Sequence, residues 1–354
     1  MAEYKAAKEM KTSYSVIGVM AGSSMDGLDI ALVDFSLRED SWLYKIQKAQ
    51  TVPYEKELFQ QLKASPDDEK EIQLQLDDVF GKWIAEQINL FKKDNAGVDL
   101  AGVHGHTVLH RPQDGISWQL GSGEVISKIS QIPVVTDFRT LDIQLGGQGA
   151  PLVPFGDFQL YRGFDACLNL GGIANISLQS SQTAWDICPC NQVLNYFAIK
   201  LGKPYDEGGN LARTGNLHKS FYESLSDLPY FSLKPPKSLP NNFIPSAILD
   251  DTNPTDGLRT YIQFIADQIS KSLINKHGRM LVTGGGAHND FLIEVIRSKL
   301  NNWEVVVPDS QLVDFKESLI FAFLALKCFR NEINVLASVT GASKDSSSGV
   351  IHLP

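Results

Sequence analysis

Basic residues are in deficit in this chain of 354 residues: 32 lysines and arginines stand against 41 aspartates and glutamates, for a formal net charge of -9. A nucleic-acid partner requires a concentrated basic face, so none is expected. An acidic protein that grips a polyanion must do it with local cations, a metal or backbone amides. Cysteine is scarce as well, limited to Cys167, Cys188, Cys190 and Cys328. Their spacing supports neither a disulfide framework nor a four-ligand zinc site. Cys188-Pro189-Cys190 admits three readings, as buried packing residues, a redox pair or two metal ligands; the lack of further suitably spaced ligands favours packing. No apolar run reaches the roughly 20 residues of a membrane helix. The polar stretch 1–11 lacks the apolar core of a signal peptide. The expectation is a cytoplasmic protein with reduced thiols and no membrane partner.

What the sequence does contain is an ordinary globular composition, 43% hydrophobic and 21% charged, in a chain long enough for two lobes. Tyr14–Met20 and Leu28–Phe35 are apolar, β-branched runs around the turn Ala21–Gly27, and Trp42–Thr51 alternates loosely. Ile72, Leu76, Val79, Phe80, Trp83, Ile84 and Ile88 recur at helical spacing. Leu100–Val103 and Ile132–Val135 read as short strands of the same sheet. The second half opens alike: strand Ala166–Leu170, turn Gly171-Gly172, strand Ile173–Leu178, then a third strand at Thr183–Asp186 and a helix at Gln192–Leu201. Strand Met280–Thr283 leads through Gly284-Gly285-Gly286 to a helix at Asp290–Leu300, strand Val305–Val307 and a last helix, Lys316–Phe329. Residues 229–254, rich in proline and asparagine, read as an extended loop. A strand–glycine turn–strand unit therefore opens each half, a weak internal repeat. It favours two α/β lobes, 1–155 and 156–354, over one doubly wound domain, with the C-terminal helix expected against the first lobe.

Several segments carry candidate chemistry. Gly22-Ser23-Ser24-Met25-Asp26-Gly27-Leu28-Asp29 offers bare backbone and hydroxyls to a phosphate, and Asp26 and Asp29 to Mg²⁺ through water. It is neither a Walker A loop nor a dinucleotide fingerprint; a plain tight hairpin explains it equally well. Three glycines before a helix at Gly284–Gly286 favour contact with a nucleotide. Asp186 is suited either to general-base work or to capping the helix that follows. The stretch Asp137-Phe138-Arg139 to Pro154 is dense in glycine and proline and can shape a sugar pocket, with Asp137, Arg139 and Asp142 bonding hydroxyls; a flexible crossing between lobes is the alternative. His104, His106 and His110 match no metal-ligand spacing.

Taken in order, these segments resemble the anhydro-N-acetylmuramic acid kinase family of actin-like sugar kinases. The family's G-T-S-x-D-G-x-D turn stands here as Gly22 to Asp29, and its G-x-H-G-Q-T segment as Gly102 to Thr107, with His106 for glutamine. Asp137-Phe138-Arg139, Gly146 to Pro154, Asn169 to Asn175, Gly202 to Asp206, Gly284 to Asn289 and Ser338 to Ser343 match directly. The catalytic segment D-T-G-P-x-N is Asp186-Ile187-Cys188-Pro189-Cys190-Asn191, its threonine and first glycine replaced, and the loop after Lys237 departs from the family pattern.

The resemblance implies a two-lobed actin-like (ribonuclease H-like) fold whose turns grip a nucleotide across a central cleft. It also implies ATP- and Mg²⁺-dependent opening and phosphorylation of 1,6-anhydro-N-acetylmuramic acid, in the recycling of bacterial cell-wall sugars, by a homodimer. Asp186 and Glu317 are then catalytic. The nucleotide contacts are Gly22, Ser23, Ser24, Met25, Asp26, Gly27, Asp29, Gly171, Gly172, Asn175, Gly284, Gly285 and Gly286. Asp26 and Asp29 serve Mg²⁺ through water, and His104, Thr107, Asp137, Arg139, Gln148 and Asn191 serve the sugar. Alternatives are an actin-like kinase of another small sugar, or a regulator that binds nucleotide or sugar and has lost catalysis.

Overall fold

The computed structural model describes residues 11–22, 25–93, 97–235, 237–239, 243–274 and 276–354. Ser23 and Ser24 of the first turn, and Pro240 to Asn242 of the divergent loop, lie outside the described residues. The strands, in chain order, are β1 (Ser13–Ala21), β2 (Leu28–Arg38), β3 (Ser41–Val52), β4 (Leu100–Val103), β5 (His106–Arg111), β6 (Ile116–Leu120) and β7 (Val134–Thr136). They continue with β8 (Ala166–Leu170), β9 (Ile173–Leu178), β10 (Thr183–Pro189), β11 (Gly278–Thr283), β12 (Trp303–Val306) and β13 (Val350–His352).

The chain forms two compact units, residues 1–160 with 315–354, and residues 161–314. Among the described residues the first unit carries the sheet β13-β7-β4-β1-β2-β3 and the second the sheet β10-β9-β8-β11-β12. In the first, β1 pairs antiparallel with β2 and parallel with β4, and β4 pairs parallel with β7. In the second, β8 pairs antiparallel with β9 and parallel with β11, and β11 pairs parallel with β12. With the β5–β6 hairpin and β13 set aside, both sheets run in the order 3-2-1-4-5. This is the ribonuclease H-like order, present in each unit.

In the first unit β13 lies antiparallel on β7 and closes that sheet edge, and unpaired edge groups otherwise invite association. The helix Lys70–Lys92 buries Leu76, Phe80, Ile84, Ile88 and Phe91, one stripe at three- and four-residue spacing. Ile72 and Val79, read with that stripe from sequence, sit one position off it and are about half exposed, at 49% and 53%. The helix Ser310–Phe329 contributes its residues from Phe315 onward to this unit. Gly18 of β1 and Gly102 of β4 let its backbone approach. A Cβ on Gly18 would stand 1.8 Å from the Ser318 carbonyl oxygen, and one on Gly102 2.4 Å from that of Phe321.

The second unit packs Leu168, Leu170, Phe197, Tyr261, Phe264 and Val282 in one apolar core. The helix Pro254–Ser272, begun by Pro254 and capped by the Asn253 side chain on the Thr255 and Asp256 amides, supplies much of that core. Residues 229–254 are not a plain extended loop. Pro229, at the first helical position, starts a 3-10 turn at Pro229–Ser232, and Ser246–Asp250 forms a short helix. The strand read as Thr183–Asp186 continues to Pro189, with its register on β9 shifting between Asp186 and Cys188.

Gly18→Ala and Gly102→Ala are expected to destabilise the protein by about 3 kcal/mol or more, because a helix backbone cannot yield as a side chain can. A fall in the urea midpoint at constant slope is the result that checks this; wild-type midpoints in both variants refute it.

Candidate active site

Each unit gathers a polar cluster beside its glycine turns. In the first, the turn after β1 closes with the Met25 amide donating to the Gly22 carbonyl at 3.2 Å, and Met25 stands at φ 56°. Gly27 fits because a Cβ there would lie 2.7 Å from the Val52 carbonyl oxygen. Asp26 is exposed on this turn. Asp29 points to β3, where its carboxylate accepts the Thr51 hydroxyl at 2.5 Å. Among the described residues no group of three or more His, Cys, Asp or Glu side chains is placed to hold a metal.

Beyond β4 and β7, His104, Asp137, Arg139 and Glu317 come together. The buried His104 ring lies 4.6 Å, centroid to centroid, from that of Phe321. Burial, then the neighbouring Arg139 charge, hold His104 well below the usual imidazole range, so the ring is neutral. Its Nδ1 lies 2.9 Å from the Gly105 carbonyl oxygen and can only donate to it; its Nε2 therefore accepts, from Arg139 Nη2 at 2.7 Å. Arg139 Nη1 donates to the Gly149 carbonyl at 2.7 Å. Burial brings the Arg139 guanidinium down to about 10, against the opposing pull of Glu317 and Asp137. Burial likewise raises the Glu317 carboxyl, which the Lys316 and Arg139 charges partly offset. Lys316 itself forms a buried ion pair with Asp157 at 3.0 Å.

His104, expected as a sugar contact, thus has both ring nitrogens engaged within the protein and orients Arg139. Asp142, expected to bond hydroxyls, is fully buried, and its carboxylate accepts the Gly149 amide at 2.8 Å and the Thr340 hydroxyl at 2.7 Å. It braces the glycine-rich loop instead of lining a pocket. Gln148 is exposed on that loop, its backbone N–H donating to the Thr340 carbonyl. Asp137 accepts the Thr140 amide at 3.1 Å, just before the helix Thr140–Gln144, and lines a cavity of about 170 Å³ with His104, Asp77, Trp118 and Gln119. Thr107 sits on β5 opposite Gln119, and that position is not among the cavity's lining residues. Sequence reasoning missed Trp118 and Gln119 because the β5–β6 hairpin was not read; Asp114-Gly115, between two strand-forming runs, was the available signal. Asp77, on the helix Lys70–Lys92, had no local signal of its own.

In the second unit the pairing Asp186–Asn175–Asn169 runs straight across β10, β9 and β8. Directly opposed residues project to the same face, so these polar side chains form a row. Asp186 therefore lies within a strand, and the helix Asn191–Lys200 is capped at Cys190. The capping role open to Asp186 from sequence is excluded. Burial raises its carboxyl above the usual range, while the Leu239 amide, donating to Oδ2 at 2.9 Å, works the other way. Cys188 and Cys190 are fully buried and burial pushes both thiols up, as packing residues require.

The glycine turns of this unit meet at Asn191. Its amide nitrogen donates to the Leu170 carbonyl at 2.9 Å, and its backbone N–H donates to the Gly171 carbonyl at 3.1 Å. A Cβ on Gly286 would lie 3.2 Å from its side-chain oxygen. Asn191, assigned from the resemblance to the sugar, stands with Gly171, Gly172 and Gly284 to Gly286. Gly284 adopts φ 83° and a Cβ there would strike Asn169 at 2.5 Å, whereas a Cβ on Gly285 would meet only Asn191, at 3.6 Å. Bare backbone at Gly285 thus borders open space, a cradle of the kind that admits phosphate or ribose. Asn169, missed as a site residue, was implicit in the hairpin register around Gly171-Gly172.

Two sheets in ribonuclease H-like order, each carrying glycine turns and nearby carboxylates, define an α/β protein of the actin-like sugar kinase class. The anhydro-N-acetylmuramic acid kinase family model matches residues 14–354. The chain belongs to that family. It is 34% identical to the anhydro-N-acetylmuramic acid kinase of Synechocystis sp., over 95% of this chain and 98% of that protein. It is 32% identical to the one from Paramagnetospirillum magneticum, over 96% and 99%. Among solved structures, an activator of 2-hydroxyisocaproyl-CoA dehydratase from Clostridium difficile with bound ADPNP is 13% identical, covering 88% of this chain and 94% of that chain, with a TM-score of 0.43.

Thr340→Val removes one of the two donors to the buried Asp142 carboxylate, and a loss of about 1–3 kcal/mol in unfolding free energy is expected. Equilibrium denaturation measures it; an unchanged midpoint refutes the brace.

Proposed function

We infer that the chain is an ATP-dependent sugar kinase that opens 1,6-anhydro-N-acetylmuramic acid and phosphorylates it to N-acetylmuramic acid 6-phosphate in cell-wall recycling. Family membership over residues 14–354 supports the reaction. The observation that carries the chemistry is Asp186, a half-desolvated carboxylate in the polar row beside the glycine turns. A water oxygen bonds to the anomeric carbon as its proton passes to Asp186. The bond from that carbon to O6 breaks, and O6 takes the γ-phosphoryl group, leaving ADP. Raising the carboxyl toward the working pH strengthens it as a base. Arg139, held by the neutral His104 and the Gly149 carbonyl, presents a fixed cation to the acidic sugar. Glu317, buried beside Arg139 and Lys316, balances that charge.

Gly285 and its neighbours hold the nucleotide by backbone, which spares an acidic protein the need for a lysine-rich phosphate site. The acidic groups suit Mg²⁺ carried in on the nucleotide better than a cage of protein ligands, since the described residues build no such cluster. Asp26 is the carboxylate that would face it through water, and bound Mg²⁺ would offset phosphate charge in the transition state. Asp29, engaged by Thr51, would shape the turn. On the family resemblance, the working form is a cytoplasmic homodimer.

Asp186→Asn should retain the fold and ATP binding and lose turnover by several orders of magnitude; near-normal turnover removes Asp186 as the base. The wild-type acid limb of kcat should lie above the ordinary carboxylate range, because activity requires the ionised form of a group whose proton affinity burial has raised. Gly285→Ala should keep the wild-type melting temperature and weaken ATP roughly tenfold or more in calorimetry, by filling the cradle. Unchanged ATP affinity counts against nucleotide contact at Gly285.

A further inference from the structure

β10 is the edge strand of the second sheet, so the backbone groups of Asp186 that face away from β9 need partners other than a neighbouring strand. The segment 229–239 supplies them. The Asp186 N–H donates to the Lys237 carbonyl at 3.0 Å, and the Tyr230 hydroxyl donates to the Asp186 carbonyl at 2.7 Å. The Leu239 N–H reaches past the backbone to carboxylate Oδ2 at 2.9 Å. The strap is closed on itself, with Lys237 Nζ donating to the Tyr230 carbonyl at 3.1 Å and standing 4.3 Å from the centre of the Tyr230 ring. Tyr230 is also anchored: it is buried, with its ring 5.3 Å from that of Phe243. These contacts converge on one residue, at the point where the register of β10 slips between Asp186 and Cys188.

We propose that the segment 229–239 is a positioning strap for the carboxylate of Asp186, with Tyr230, Lys237 and Leu239 as its positioning residues. The strap ties down Oδ2 and leaves Oδ1 to receive the proton of the attacking water. Tyr230 fixes the depth of the carboxylate through the main chain, and Lys237 holds Tyr230. Its last residues, Ser238 and Leu239, open the loop after Lys237 where this sequence leaves its family's pattern. It rests on the reading of Asp186 as the base and adds to it the oxygen used and the groups that aim it.

The test uses the full chain with ATP, Mg²⁺ and the anhydro sugar, with kcat followed across pH. Tyr230→Phe keeps the ring and deletes one hydrogen bond to the Asp186 carbonyl. Its kcat should fall roughly ten- to a hundredfold through misplacement of the base, with KM for ATP unchanged. Leu239→Pro deletes the N–H that favours the ionised carboxylate, so the acid limb of kcat should move to higher pH. Leu239→Ala keeps that N–H, and its acid limb should stay in place. Wild-type kcat in Tyr230→Phe together with an unmoved acid limb in Leu239→Pro overturns the strap. Should Leu239→Pro fail to melt cooperatively, Tyr230→Phe decides alone, and wild-type kcat in it overturns the strap. Full turnover in Asp186→Asn is the separate result that would sink the base itself; a dead Asp186→Asn with normal Tyr230→Phe and Leu239→Pro sinks only the strap.

Discussion

The backbone of the helix Ser310–Phe329 meets β1 and β4 at two residues that carry no Cβ, Gly18 and Gly102. At ordinary side-chain distance the helix would stand off the sheet, and every group it carries would move with it. Those groups matter. Lys316 and Glu317 immediately precede Ser318, whose carbonyl oxygen fills the Gly18 notch, and Phe321 at the Gly102 notch supports the His104 ring. The depth of this contact sets Glu317 relative to Arg139, and Arg139 relative to the strand ends. A backbone approach so close is stiff in a way that side-chain packing is not, because no rotamer change relieves it.

The second unit solves a related problem at a sheet edge. An edge strand is an awkward place for a group that must sit accurately, since half of its backbone is unpaired. Asp186 nevertheless occupies β10 with Asn175 and Asn169 beside it in register and the 229–239 segment against its outer side. The strands fix it along the sheet, and the segment fixes it at the edge. Its side chain stays only partly buried there, and that burial raises its proton affinity. In the first unit the same logic yields an arginine in place of a carboxylate: two acceptors, His104 Nε2 and the Gly149 carbonyl, aim a guanidinium whose proton affinity burial has lowered.

Much of the fold was legible because period and punctuation agree. The alternating and β-branched runs of β1, β2, β8 and β9 lie around glycine turns, and the stretch before Asp290 carries three glycines. Each is a local signal with a local cause. The helix Lys70–Lys92 was legible as a helix, but its buried stripe was blurred by Ile72 and Val79, since apolar residues at the margin of a stripe are tolerated in water. The proline-rich composition of 229–254 hid its helical turns. Proline favours a helix start as readily as a loop, and composition alone does not separate the two.

The candidate site divides the same way. Residue identity was enough to single out Asp186, Arg139 and the glycines as candidates, because a carboxylate base, a hydroxyl-binding group and a bare-backbone cradle each require particular side chains or their absence; Glu317 came from the family resemblance alone. Identity could not tell a working group from a brace. Asp137, Asp142 and Asp186 are the same residue, yet one holds the Thr140 amide beside a cavity, one is sealed under a loop by Gly149 and Thr340, and one stands on an edge strand held by a segment more than forty residues away. Sequence determined the chemistry available and where most of the strands lie along the chain. The tertiary structure decided which groups keep that chemistry, because burial and hydrogen bonding across long separations set both the position and the proton affinity of each charge.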